Sequence, residues 1–217
     1  MRRMMLPALV ALIGAGSTLS AQQPHFGAAF NLVLPTGDFN SKTYPPNGSV
    51  LVDQNEGYDT GFGGQLTISF PVDPKLAIRV NFGGQVTDGT NTAPGYDKIN
   101  LRHTMFSLGG DLQIFTESAY RHRGTYFIAG LSADFERFER SFGNFDSNYY
   151  GDYYDDVDTT RKSRMGANFG IGHAFGYNAG LRFTLEGTFH KTLTGNDTAK
   201  NDPPNTDFVR ISFGCVF

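Results

Sequence analysis

The chain of 217 residues has no tryptophan, one cysteine and six lysines. Each shortage excludes something. With Cys215 alone, no disulfide can form within the chain. Past the N-terminal segment, no stretch approaches the roughly 18 apolar residues of a transmembrane helix. The net charge of −3 and the pI near 5.9 argue against a nucleic-acid partner. The lysines, Lys42, Lys75, Lys98, Lys162, Lys191 and Lys200, fall in connections or at the ends of the segments described below. A water-soluble barrel would normally carry some Lys and Glu at mid-strand on its wet face.

What is present begins with an export signal. Arg2 and Arg3 precede an apolar run from Met4 to Ala15, broken by Pro7 and Gly14. Small or polar residues then lead to Ala21, apart from Leu19. This layout predicts a cleaved signal peptide over residues 1–21, with the cut before Gln22, and the length that remains suits a single domain over 22–217. The run is too short to span about 30 Å as a helix. The residue directly after the cut is Gln22 and not cysteine, so the chain does not read as a lipoprotein.

Beyond the signal the hydrophobic period is two. Phe62, Gly64, Leu66, Ile68 and Phe70 alternate with Gly63, Gln65, Thr67 and Ser69. The same pattern runs through segments beginning near Phe26, Leu76, Thr104, Phe127, Arg164, Leu181 and Val209. Alternation of this kind predicts eight strands. The connections alternate in length. Pro35–Asp59, Thr87–Leu101, Glu139–Lys162 and Thr194–Asp207 read as long loops. Pro71–Lys75, Thr116–Gly124 and Tyr177–Gly180 read as short turns. That rhythm predicts an all-β fold: an eight-stranded antiparallel up-and-down transmembrane β-barrel with short periplasmic turns and long extracellular loops. The polar faces carry Gly, Ala, Ser, Thr, Asn and Gln with a few Arg and acids, which suits a narrow lumen. Large Phe, Leu, Ile and Val occupy the other face, which can point at lipid.

The last strand, Val209-Arg210-Ile211-Ser212-Phe213-Gly214-Cys215-Val216-Phe217, alternates and ends in Phe. The whole mature chain resembles the small outer-membrane barrels related to the transmembrane domain of outer-membrane protein A and to the opacity adhesins. The resemblance implies residence in the outer membrane of a Gram-negative-type bacterium and contact with outer-membrane lipid. It also implies recognition of Phe217 by the barrel-assembly machinery. Two departures stand out. Without Trp, any aromatic girdle must be Phe and Tyr, and no peptidoglycan-binding domain follows the barrel.

Candidate chemistry is sparse. The Tyr- and Asp-rich stretch Phe142–Asp156 offers amphipathic contact area for an extracellular ligand. Asp152, Asp155, Asp156 and Asp158 are oxygen donors, but their spacing departs from the EF-hand pattern. Some outer-membrane barrels resembling this one are lipid A deacylases, which need a Ser-His-acid set at the outer leaflet. His173 falls on the lipid face near the periplasmic end, the wrong leaflet. Glu186 and His190 share the lumen face with His103, and no serine completes a set. The expectation is therefore no catalytic, cofactor-binding or metal residue and no cofactor. Lumen charges are expected to pair as Arg79–Asp111, Asp134–Arg164 and Glu186–Arg210, with Arg182 competing for Glu186. The function so read is a structural or surface-interaction barrel with a plugged lumen. A lipid-modifying enzyme and a narrow ion-conducting pore are the alternatives.

Overall fold

The computed structural model describes residues 23–37, 39, 57–93, 96–142, 157–176, 180–194 and 205–217. The signal segment and most of the Tyr- and Asp-rich stretch, including Asp152, Asp155 and Asp156, lie outside them. Eight strands are present: β1 (His25–Pro35), β2 (Gly61–Asp73), β3 (Leu76–Ala93), β4 (Tyr96–Phe115), β5 (Gly124–Phe142), β6 (Val157–Phe175), β7 (Arg182–Thr192) and β8 (Phe208–Val216). Each pairs antiparallel with the next, and β1 pairs with β8, so the sheet closes on itself. Where all eight strands run side by side, closure satisfies their backbones without an open edge, which lipid would not tolerate.

The register fixes the barrel's shape. Starting at His25, the directly opposed residues are Ser69, Arg79, Asp111, Gly130, Asn168, His190 and Phe208. Phe208 then opposes Pro35, ten residues along β1 from the start. With eight strands, such a stagger inclines them about 40° to the axis and leaves room inside only for side chains.

The distribution of polarity is inverted relative to a soluble protein. Phe30, Phe62, Leu66, Phe169 and Phe213 are each more than half exposed. Asn31, Arg79, Asp111, Arg164 and Glu186 are all buried. A continuous outward belt of large apolar residues around a polar interior is stable only in hydrocarbon. From Ile114 to Phe106 on β4 the exposed apolar positions span eight residues, or about 20 Å at that tilt.

The short-turn end is built locally. At β2–β3, Pro74 sets the turn and the Lys75 amide donates to the Asp73 carboxylate at 3.1 Å. The long-loop end departs from the alternation reading. Thr87–Leu101 is not a loop: β3 and β4 continue through it, with Thr87 opposite His103 and Gly89 opposite Leu101. Likewise β5 runs to Phe142 and β6 starts at Val157. Above the lipid belt both faces of a strand can be polar, as at Thr87, Asp88 and Thr90. The period-two signal fades there while the backbone ladder persists. Lys98 and Lys162 consequently lie inside strands rather than in connections, within these extensions. Four strands thus project as a sheet beyond the shorter β1, β2, β7 and β8.

Candidate functional site

The lumen is the only place where the fold concentrates buried charge among the described residues. Its hub is Arg79 on β3. Arg79 Nε and Nη2 donate to Asp111 Oδ2 at 3.0 and 2.9 Å, and Nη1 donates to Glu186 Oε1 at 2.5 Å. Asn81 adds a bond to Asp111 Oδ2 at 2.7 Å, and the Tyr126 hydroxyl donates to Glu186 Oε1 at 2.7 Å. The Tyr126 ring lies over Gly172, where any Cβ would come within 2.5 Å of it. Glycine at that position is what lets the ring cross β6 from β5 to reach Glu186 on β7.

A second network lies nearer the long-loop end. Asp134 accepts from Ser107 at 2.6 Å and Ser132 at 3.2 Å, with His190 Nε2 at 3.4 Å. Glu136 takes Arg164 Nη1 at 3.3 Å, His103 Nε2 at 3.7 Å and the Thr206 hydroxyl. Arg210 donates to Thr188 at 3.2 Å. The Arg79–Asp111 pair expected from the alternation is present. The other two are corrected. Asp134 opposes Arg164 in register, yet Arg164 bonds Glu136, two residues further up β5. Glu186 is held by Arg79 and Tyr126 rather than by Arg210 or Arg182.

Among the described residues, aromatic side chains cluster at both mouths. At the long-loop end Phe39, Tyr58, Leu101 and Phe138 cluster around the His103 ring. At the other end Phe115, Ala119 and Tyr126 pack with His122. Between them are two polar cavities of about 10 Å³ each, one beside Arg79 and Glu186, the other beside Asn81 and Arg210. Each has room for about one water molecule.

Thr87 Oγ1, His103 Nδ1 and, behind the ring, Glu136 stand in the order of a nucleophile, base and acid, at 3.2 and 3.7 Å. Thr87 and His103 have no exposed surface, and Phe39 and Tyr58 cover the His103 ring. Both groups are therefore shut off from solvent in this arrangement. His190 sits beside Asp134 and Asn168, and its partner Glu186 in the sequence reading is committed elsewhere. His173 points outward at the short-turn end, 3.0 Å from Thr125. No metal-binding group of three His, Cys, Asp or Glu occurs among the described residues. Alternation overlooked Glu136, although one more step past Phe135 places it in the lumen.

His122 sits in the β4–β5 turn with φ +43° and both ring nitrogens unpartnered. Burial, then the nearby His25, pushes its pKa down to about 3. Below about pH 6.5 the unfolded chain takes up a proton that the folded turn refuses, so stability falls as pH falls from there toward 3. By pH 5 the loss from this group should reach about 2 kcal/mol. Urea titrations of His122→Asn at pH 7.5 and pH 5 should show that much less acid sensitivity than the parent. An equal slope in both would remove His122 as the cause.

Together, the closed shear-ten sheet, the lipid-facing belt and the charged interior define a transmembrane β-barrel of eight strands. No family model matches the sequence, and no curated protein matches it. Solved structures do. Outer membrane protein OprG from Pseudomonas aeruginosa aligns over 89% of this chain and 95% of its own, with a TM-score of 0.56 and 13% identity. Neisserial surface protein A aligns over 89% and 95%, with a TM-score of 0.50 and 10% identity. The fold is that of the small outer-membrane barrels, as the resemblance of the sequence implies.

Proposed function

We propose that the chain is a surface barrel whose lumen is sealed and whose working face is the long-loop end, exposed to the exterior. One observation carries this reading: both mouths and the middle of the lumen are occupied by side chains. A bore or buried active site is then left without room, and the partner is assigned to the connections β1–β2, β5–β6 and β7–β8. The projecting sheet of β3–β6 gives that face a base of paired strands. Residues 1–21 act in this reading as a cleaved signal peptide, which places the N-terminus and the short turns in the periplasm.

Two measurements test the proposal. A cysteine-reactive or epitope tag at Gly48 should label on intact cells; labelling only after the outer membrane is opened would reverse the orientation. In planar bilayers the purified protein should show no steady conductance above the bilayer baseline. A stable open channel would replace the sealed barrel with a narrow pore.

A further inference from the structure

The lipid-facing surface changes character abruptly on β4–β6. Phe106 and Phe135 oppose each other at the top of the apolar belt, more than half exposed, with Met165 beside them on β6. One step higher on the same face, Thr104 opposes Arg137, and Arg137 opposes Arg161. One step higher again, Arg102 opposes Glu139 and Glu139 opposes Thr159. The outward charges therefore begin immediately where the hydrocarbon contact ends.

Two arginines directly opposed on neighbouring strands lie about 5 Å apart at Cβ and repel. The local acids answer Arg102 and Arg137 but not Arg161. Asp88 engages Arg102 at 2.8 Å, and Glu139 engages Arg137. Arg161 is exposed and has no ion pair or hydrogen bond among the described residues. A doubly charged anion between the two guanidiniums would convert the repulsion into two charge-assisted, fork-like contacts. Charge complementarity and height above the belt together select its chemistry. The ligand must hold a phosphate at headgroup level and acyl chains alongside Phe106, Phe135 and Met165.

We propose that Arg137 and Arg161, flanked by Arg102, clamp the phosphate of a phosphorylated glycolipid of the outer leaflet whose acyl chains lie on this part of the belt. The assignment of leaflet rests on the orientation proposed above; the clamp itself does not.

The test uses the full barrel extracted in detergent, stripped of lipid and titrated with lipid A while bound lipid is counted by native mass spectrometry. Dephosphorylated lipid A and inorganic phosphate are the comparison probes. Lipid A should bind at least about tenfold more tightly than its dephosphorylated form, and Arg161→Gln and Arg137→Gln should each weaken it about tenfold. Arg121→Gln removes the same charge from an exposed site at the opposite end and should leave binding unchanged. Folding of every variant is checked by its heat-dependent gel mobility. The clamp is overturned if dephosphorylated lipid binds equally well, or if Arg121→Gln weakens binding as much as Arg161→Gln. Equal occupancy by millimolar inorganic phosphate would also overturn it, leaving a bare anion site. Binding in micelles does not depend on orientation, so a failure here and a failure of labelling at Gly48 are separate results.

Discussion

Arg79→Ala should lower the barrel's unfolding free energy in detergent by about 3–5 kcal/mol, the usual cost of removing one partner from a buried ion pair. Arg79 is 3% exposed and, among the described residues, is the one cation in direct contact with both Asp111 and Glu186. Its loss leaves two carboxylates facing each other across the lumen. The neighbouring cavity of about 10 Å³ has room for about one water molecule, so further hydration must come from water entering the space that the side chain vacates. Asp111→Ala should cost less, because Arg79 keeps Glu186. The double variant should then lose about 1–3 kcal/mol less than the sum of the singles, since the second change removes a group already stranded. The same cycle run on Arg79 and Glu186 should give a coupling of similar size. Simple additivity in both cycles would mean that the hub contributes nothing as a unit. Conductance of Arg79→Ala is a separate readout: the aromatic clusters at the two mouths should keep it silent even when the middle is weakened.

Alternation made the faces legible and left the contacts only partly so. Parity alone placed Arg79, Asp111, Asp134, Arg164, Glu186 and Arg210 in the lumen, where all six are buried. Arg79 and Asp111 also pair because they are direct cross-strand neighbours. Parity says nothing about reach. Glu186 on β7 meets Arg79 on β3 because eight strands make a lumen narrow enough for opposite walls to touch. Arg164 passes over its opposite neighbour Asp134 to reach Glu136, since Asp134 is already held by two serine hydroxyls. The aromatic closures were hidden for another reason. Phe39 and Tyr58 belong to the β1–β2 connection, and Tyr58 reaches the wall through a bridge to Gly89 on the extension of β3. A loop residue that folds back inward carries no periodic mark. The extensions themselves were illegible because a strand wet on both sides has no hydrophobic period, although its hydrogen bonds are those of any ladder.

Phe217→Ala should reduce the amount of protein reaching the outer membrane by more than tenfold while leaving the folded barrel nearly as stable in detergent. Two roles of this residue can be separated on the structure. Its backbone closes the barrel: the Phe217 amide donates to Phe26 O at 2.8 Å, and the Phe26 amide donates to Phe217 O at 3.0 Å. Substitution by alanine keeps both bonds. Its ring is 57% exposed and faces the lipid belt. Losing it removes at most about 1.5–3 kcal/mol of apolar burial, and less in a micelle that covers the ring only partly. A loss of that size does not empty a membrane of a closed eight-stranded barrel. If the terminal Phe is read by the assembly machinery, as the resemblance implies, the in-cell effect must exceed the energetic one. The comparison is between outer-membrane yield and the urea midpoint after refolding in detergent, for Phe217→Ala and for deletion of Phe217. Deletion also removes the closing backbone pair, so it should lower the midpoint further, while the yield is already lost with the ring. Equal proportional losses in yield and in refolding for Phe217→Ala would reduce Phe217 to a packing residue.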